Sequence, residues 1–309
     1  MLRYLIVHQG ALGDIITAIH SLLELKKKAC LDIFCKDDIG IFLKHYKIIE
    51  KYFSISSKII LPLFSNNPDL NDDLLYYDKI IIFSFSSYIN NLKKNFDNKI
   101  IVIPPRPNPL KRIHVSDHIL NELKKIGLID NKALINKQES AFPINKNIQL
   151  SKKIVIHPGS GSVRKNWPLK SFIELNNLLV EKNYDVYFIL GICESQYKDH
   201  LLNIPETNIK VFTDIIEIIN FIKFAKIFIG NDSGLSHLAA LINIPSLIIF
   251  GPSDYKRWTP IGNSVHVIKT EFECSPCFEQ KNIKCKELKC LDSINPLQVY
   301  KTIISLNIL

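Results

Sequence analysis

The chain of 309 residues lacks any uninterrupted apolar run of the ~20 residues that a membrane-spanning helix needs. Residues 235–250 come closest, but His237, Asn243 and Pro245 interrupt them. The first residues lead directly into an apolar strand, without the leader or the small-residue cleavage site of a signal peptide. These absences predict a cytoplasmic protein rather than an integral membrane protein.

Acidic side chains are in the minority, since 30 Asp and Glu stand against 39 Lys and Arg, for a formal net charge of +9. A basic balance favours nucleic acid, an anionic membrane surface or phosphorylated ligands as partners, and it fits a lysine-rich solvated surface equally well. The chain has no basic tail and no basic run interleaved with aromatic residues. Nucleic acid is therefore not a predicted partner, while peripheral contact with an anionic membrane surface stays open.

Internal repeats and low-complexity tracts are also missing, and the length fits about two globular domains. Short apolar runs alternate with amphipathic segments, which is typical of α/β domains on a parallel sheet. The first half predicts strands near 3–8, 31–35, 79–83 and 99–103 and helices near 14–28, 38–50 and 116–126.

Residues 140–152 are polar, contain a proline and have no clear period, so they are predicted to be a linker. The second half then predicts strands near 153–157, 185–190, 209–212, 226–229, 246–250 and 265–268, with helices near 168–182, 194–202, 214–224 and 234–242. We expect one α/β domain over 1–145, a second over 146–292 and a terminal helix within 293–309.

The first strand runs into the loop "GALGD" at residues 10–14, which opens a helix. A strand–loop–helix usually cradles phosphate on backbone N–H groups, but Asp14 would repel a phosphate here. A dinucleotide-dependent oxidoreductase would need Gly-x-Gly-x-x-Gly and an acidic residue about twenty positions later, and this loop lacks that spacing. Two interpretations of Asp14 remain: a helix cap, or a carboxylate presented to a ligand.

The segment "HPGSGSVRKNWP", residues 157–168, follows a strand and precedes a helix. Ser160, Gly161 and Ser162 supply hydroxyl groups and close-approach backbone, while Arg164 and Lys165 add positive charge. These are the groups that a diphosphate needs, although an ordinary turn with solvated basic residues has the same composition.

A second such loop, "IGNDSGLSHLAA", occupies residues 229–240. Asp232 or Ser233 is a good N-cap, and the N–H groups of Ser233 and Gly234 would stand at the positive end of the helix. His237 follows one turn later and is either a ligand contact or a satisfied core residue. Glu194, after another strand, either accepts hydrogen bonds from ribose hydroxyls or serves as a favourable acid at a helix start.

Four cysteines crowd into the spacing Cys274-x2-Cys277-x7-Cys285-x4-Cys290. Four thiolates so spaced can hold a structural zinc ion, while reduced packing thiols are the alternative. Disulfides are not expected in a cytoplasmic chain.

Four segments in order, "GALGD", "HPGSGSVRKNWP", "GNDSGLSHLAA" and "FGPSDYKRW" (250–258), resemble glycosyltransferase family 9, the ADP-heptose:lipopolysaccharide heptosyltransferases. The resemblance implies the GT-B architecture, in which two Rossmann-like α/β domains face a central cleft. It implies an acceptor on the first domain, a nucleotide sugar on the second, and a terminal helix that returns towards the first domain. It further implies transfer of heptose from ADP-heptose to a lipopolysaccharide core with inversion, without a catalytic metal or other cofactor.

The resemblance also implies roles for individual residues. Asp14 matches the catalytic base, Lys165 the lysine at the donor phosphates, and Glu194 the acid that holds the ribose. Asp232, Ser233, Gly234 and His237 match the turn that binds phosphate and sugar. For the acceptor we expect contacts with Gly13, Arg106, Lys111 and Arg112, since "RPNPLKRIH" (106–114) suits an acidic acceptor, though a solvated loop is the alternative.

Two other functions stay open. The motifs predict diphosphate binding more firmly than they predict the sugar or the base, so an inverting transferase with another nucleotide sugar is one alternative. The charge alone favours the other, a non-catalytic protein that binds an anionic surface.

Overall fold

The computed structural model describes residues 1–64, 72–85, 96, 99–136, 142, 152–270, 272–279, 285 and 287–306. The chain forms two compact units, one from Met1–Asn108 with Val115–Ile135 and the other from Pro109–His114 with Asn136–Leu309. The predicted domain boundary after residue 145 and most of the predicted linker lie outside the described residues, so that division stays a prediction.

A five-stranded parallel sheet in the order β3-β2-β1-β4-β5 forms the centre of the first unit. Its strands are β1 (Leu2–Val7), β2 (Ala29–Cys35), β3 (Lys51–Ser54), β4 (Lys79–Phe83) and β5 (Ile100–Ile103). Most strands are near-continuous apolar runs, which suits a parallel sheet buried on both faces. Sequence analysis missed β3, "KYFS", because a strand of four residues is too short to show a period.

The helices of the first unit are α1 (Leu12–Lys26), α2 (Asp37–His45), α3 (Asp72–Leu75) and α4 (Val115–Lys125), and α1 packs against α4. The helix predicted over 38–50 ends earlier, at His45. Lys47 has a φ of 54°, in the left-handed region that a right-handed helix cannot continue through.

A six-stranded parallel sheet in the order β11-β10-β9-β6-β7-β8 forms the second unit. Its strands are β6 (Lys153–His157), β7 (Asp185–Leu190), β8 (Ile209–Val211), β9 (Ile227–Asn231), β10 (Ser246–Phe250) and β11 (Val265–Lys269). The predicted α/β class with parallel sheets is confirmed in both units.

The helices of the second unit are α5 (Leu169–Val180), α6 (Ile215–Ile222), α7 (Gly234–Leu241), α8 (Tyr255–Trp258), α9 (Lys289–Asp292) and α10 (Pro296–Ser305). In place of the helix predicted near 194–202, the structure has a 3₁₀ segment over Ile192–His200. The terminal helix α10 packs against α5. Trp167 joins this core, because its indole N–H donates to the carbonyl of Ile294 at 3.0 Å.

Candidate active site

Asp14 lies in the first turn of α1, directly after the loop that follows β1. Its Oδ2 accepts a hydrogen bond from the Ala11 N–H at 3.0 Å, so the carboxylate does stabilise the helix start. The side chain is half-buried, and no described residue donates to Oδ1. One carboxylate oxygen therefore caps the helix while the other remains without a donor in the part of the chain that the structure describes.

Gly10 lies between the ring of His8 and the side chain of Asp14. A Cβ at this position would come within 2.6 Å of His8 Cε1 and 2.8 Å of Asp14 Cβ, so close approach requires glycine here. The Gly10 N–H donates to His8 Nδ1 at 3.1 Å. Burial lowers the pKa of His8 to about 4, although Asp14 acts in the opposite direction, so the ring is neutral at pH 7 and Nδ1 acts as acceptor.

Lys165 and Asp232, both predicted donor residues, lie together in the second unit. Lys165 Nζ is 3.2 Å from Asp232 Oδ2, and the side chains are only 16% and 9% exposed. Lys165 ends the 3₁₀ turn Val163–Lys165 after β6, whereas Asp232 follows β9. Because β6 and β9 are neighbours in the sheet, the two loops meet at one edge.

Asn231, which sequence reasoning did not single out, joins these loops. Its side chain is fully buried; Oδ1 accepts from the Trp167 N–H at 2.9 Å and Nδ2 donates to the Pro158 carbonyl at 2.8 Å. A buried amide with satisfied donor and acceptor holds two backbone segments in one arrangement. The only signal in the sequence was its place in "GND", at the end of a strand.

The helix start at Ser233 has the predicted geometry. Ser233 is the N-cap of α7, and its Oγ accepts from the Ser236 N–H. The Ser233 Oγ also lies 3.4 Å from Nδ1 of His157, a buried residue whose pKa burial lowers to about 4. His237, on α7, is 4% exposed, and its backbone N–H donates to the Ser233 carbonyl.

The loop after β6 is held by its own serines. Ser160 Oγ lies 2.7 Å from the Ser162 carbonyl and 2.6 Å from Asn166 Oδ1, and it accepts from the Ser162 N–H. Gly161 is exposed, with open space around the position of a Cβ. Hydrogen bonds within the loop therefore hold its conformation, and there is open space next to Gly161.

Glu194 lies against the same loop. Its Oε2 accepts from the Gly191 N–H at 3.0 Å, which fits one of the two roles considered for it, an acid at a helix start. A Cβ at Gly159 would lie 2.4 Å from Glu194 Oε1, so glycine at 159 makes room for the carboxylate. Glu194, Lys165, Asp232 and the α7 start are therefore neighbours at the carboxyl ends of β6, β7 and β9.

The predicted acceptor residues are divided between the two units. Gly13, half-buried in the first turn of α1, and Arg106, whose guanidinium carbon lies 5.5 Å from the centroid of Phe85, belong to the first unit. Lys111 and Arg112 belong to the second, where Lys111 ends an exposed 3₁₀ turn. Arg112 is not simply solvated, because it forms a bidentate ion pair with Asp254.

The four clustered cysteines are free thiols. Burial and the neighbouring thiols raise the pKa of Cys277 and of Cys290. Within the described ranges no three His, Cys, Asp or Glu side chains are placed to hold a metal ion. A structural zinc ion and reduced packing thiols both stay open as predictions for these cysteines.

Among the residues that the structure describes, no helix is both long enough and apolar enough to span a membrane.

Two parallel sheets flanked by helices, with a lysine, a helix start and a carboxylate gathered at strand ends in the second, define an α/β protein whose candidate site lies at the carboxyl ends of parallel strands. The family model described as glycosyltransferase family 9 (heptosyltransferase) matches residues 117–287, just over half of the chain. The chain belongs to this family, and the family resemblance inferred from the motifs is confirmed.

A curated relative, lipopolysaccharide heptosyltransferase 1 of Campylobacter coli, is 27% identical over 91% of this chain and 97% of its own length. Among solved structures, Escherichia coli ADP-heptose lps heptosyltransferase II matches with a TM-score of 0.72 at 15% identity, covering 99% of this chain and 98% of that one. The E. coli heptosyltransferase WaaC with ADP matches with a TM-score of 0.67 at 15% identity, covering 98% and 99%. These likenesses confirm the GT-B fold class.

Proposed function

We propose that this glycosyltransferase is an inverting heptosyltransferase that moves heptose from ADP-heptose to a lipopolysaccharide core acceptor, with Asp14 as general base. The observation that carries the proposal is the buried Lys165–Asp232 pair beside Glu194 and the start of α7. Family membership and the heptosyltransferase names of the relatives support the choice of sugar and acceptor.

The donor half of the proposal rests on charge. A diphosphate would accept from the N–H groups at Ser233 and Gly234 and from Lys165, because both the helix start and the ammonium are positive. Glu194 would accept from the ribose hydroxyls, and Ser160, Gly161 and Ser162 would line the phosphates. Asp232 and His237 would contact phosphate and sugar at the same turn.

The chemical step needs a base and a stabilised leaving group. The acceptor hydroxyl oxygen attacks the anomeric carbon opposite the diphosphate, its proton passes to Asp14, and the bond to ADP breaks with the electron pair on the leaving phosphate. One bond forms as another breaks on the opposite face, so configuration inverts. General-base help is worth about 10²–10⁴ in rate, and Lys165 with the α7 N–H groups would stabilise the developing charge without a divalent cation.

The acceptor half rests on the basic side chains. Gly13 would leave room beside Asp14, while Arg106, Lys111 and Arg112 would meet the acidic groups of the core. The net charge of +9 supports peripheral contact with an anionic membrane surface, and the proposed place of this contact is the cytoplasmic face of the inner membrane.

The test is transfer itself. Protein incubated with ADP-heptose and a heptose-free lipopolysaccharide core should release ADP and give a product whose anomeric configuration, read by NMR, is opposite to that of the donor.

Screening other nucleotide sugars for thermal stabilisation tests the alternative donor, because a ligand that binds only the native state raises stability. Stabilisation by a different nucleotide sugar but not by ADP-heptose would overturn the choice of donor.

A further inference from the structure

His8 directly follows the carboxyl end of β1 in the first unit, and the residue is only 3% exposed. Its backbone N–H donates to the Phe34 carbonyl of β2 at 3.0 Å. Its ring packs on Phe83, the last residue of β4, with 4.9 Å between the ring centroids. Since β2 and β4 are the two neighbours of β1, these contacts fix where the imidazole lies.

The two ring nitrogens of His8 have different surroundings. Nδ1 accepts from the Gly10 N–H at 3.1 Å, whereas Nε2 is buried and has no hydrogen-bond partner among the described residues. Burial lowers the pKa of His8 to about 4, so the ring is uncharged at pH 7 and its one proton is on Nε2. The hydrogen bond that the described chain makes with this ring is therefore the one at Nδ1, and it ends on the loop that carries Asp14.

This loop is held at two successive N–H groups. His8 Nδ1 accepts from Gly10, and Asp14 Oδ2 accepts from Ala11 at 3.0 Å. The imidazole and the carboxylate also pack against the same glycine, because a Cβ on Gly10 would lie 2.6 Å from His8 Cε1 and 3.1 Å from Asp14 Oδ2. A displacement of Gly10 would therefore move the Ala11 N–H and the carboxylate bound to it.

We propose that His8 is a positioning residue for Asp14, which it places by holding the Gly10 N–H. The inference rests on the proposed function, in which the Asp14 carboxylate takes the proton of the acceptor hydroxyl. In this role His8 acts through the loop and touches no reacting atom. A misplacement of about 1 Å in an active site can cost about 10²-fold in rate, so loss of the His8 acceptor should slow turnover without weakening substrate binding.

Three substitutions separate the two nitrogens of His8 from the ring itself. His8→Phe keeps a flat ring against Phe83 but has no acceptor. His8→Asn places its amide oxygen as many bonds from Cα as Nδ1, so it can still accept from Gly10. His8→Gln instead places its amide nitrogen as many bonds from Cα as Nε2, which keeps a donor there.

Turnover is measured as ADP release at saturating ADP-heptose and core acceptor. We expect it to fall about tenfold to a hundredfold in His8→Phe and His8→Gln, and to stay within about threefold of the native value in His8→Asn. The KM for each substrate and the affinity for ADP should stay unchanged in all three variants. The matched control is His45→Phe, at an exposed histidine of the same unit, which should leave turnover unchanged.

Hydrogen exchange read by NMR follows the contact without any transfer. The Gly10 N–H should exchange about tenfold faster or more in His8→Phe and return towards the native rate in His8→Asn. The N–H groups of β1 that pair with β2 should stay protected in every variant, which shows that the first unit is folded.

Native-like turnover in folded His8→Phe, or unchanged exchange at Gly10 in that variant, would overturn the inference and leave the proposed function standing. Turnover kept by His8→Gln and lost by His8→Asn would also overturn it, because Nε2 would then be the nitrogen that matters. If the native chain transfers no heptose while exchange at Gly10 changes as expected, the proposed function fails and the hold of His8 on the loop is supported.

Discussion

Lys165 Nζ and Asp232 Oδ2 lie 3.2 Å apart across 67 residues of sequence, and both side chains are largely buried. Removing one partner of a buried pair leaves the other charge uncompensated, which costs more than the pair itself contributes. The pair therefore fixes the Lys165 ammonium beside the Asp232 carboxylate, next to the start of α7. The pair itself is neutral, so a diphosphate bound there would share the ammonium with Asp232 and would also be attracted by the N–H groups of the helix start.

Lys165→Ala should weaken ADP-heptose binding about tenfold or more and also slow turnover, because the charge it offsets is present in the donor and grows in the transition state. Calorimetry with ADP and ADP release under saturating substrate measure the two effects. Lys170→Ala is the control for loss of a lysine. Unchanged ADP affinity in folded Lys165→Ala protein would remove Lys165 from the donor site.

Asp14→Asn should lower turnover by about 10²–10⁴ and leave donor affinity nearly unchanged, because the base is lost while the second unit is untouched. Asn caps helices well and can still accept from the Ala11 N–H, so fold stability should hold. Near-normal turnover of the saturated variant would leave Asp14 as a helix cap only.

Gly159→Ala should weaken ADP binding indirectly, by displacing the side chain of Glu194. The new methyl would lie 2.4 Å from Glu194 Oε1, and the flexible carboxylate would move while the fold stays intact. A double-mutant cycle separates this from a direct effect: Gly159→Ala should add little to the loss already caused by Glu194→Ala. Additive losses in ADP affinity would show that Gly159 contacts the ligand itself.

Acidification should destabilise the second unit through His157. Because burial lowers its pKa to about 4, the native state binds the proton less readily than the unfolded chain, whose His has a pKa near 6.5. The free energy of unfolding should therefore fall by about 1.4 kcal/mol per pH unit from this group as pH drops from 6.5 to 4, and level off below.

Urea unfolding at pH 7 and pH 4.5 measures this slope. His157→Asn should show a shallower decline with falling pH than the native chain, while His200→Asn, an exposed control in the same unit, should not. The same decline in all three proteins would mean that His157 is not the group responsible.

Transfer should survive chelation of divalent ions by EDTA, since Lys165 and the α7 start are proposed to stabilise the leaving diphosphate. A requirement for added Mg²⁺ or Mn²⁺ would contradict that mechanism.

The cysteines are tested separately by elemental analysis of untagged protein. Near-stoichiometric zinc that Cys277→Ser removes would establish a structural zinc site without bearing on the reaction.

The sequence alone determined most of the strands and the loops that carry the candidate site. Apolar runs such as "KIVIH" and "SLIIF" have no alternation, which indicates strands buried on both faces, and both form in the structure. The order of the four motifs was enough to identify the family. Each motif can be recognised in the sequence because its glycines, serines and charged residues lie within one short segment. Local patterns failed at "KYFS", which is too short to show a period, and at Ile192–His200, whose helical pattern forms a 3₁₀ segment.

Only the tertiary structure decided which side chains meet. Arg112 was predicted to contact the acceptor, with a solvated loop as the alternative, and neither prediction included its ion pair with Asp254 across 142 residues. Asn231 gave no chemical signal of its own, and its role came from two points of the loop after β6, which the sheet order places beside the end of β9. Hydrophobic period and turn chemistry act over a few residues, whereas such contacts depend on strand order and register, which no short segment encodes.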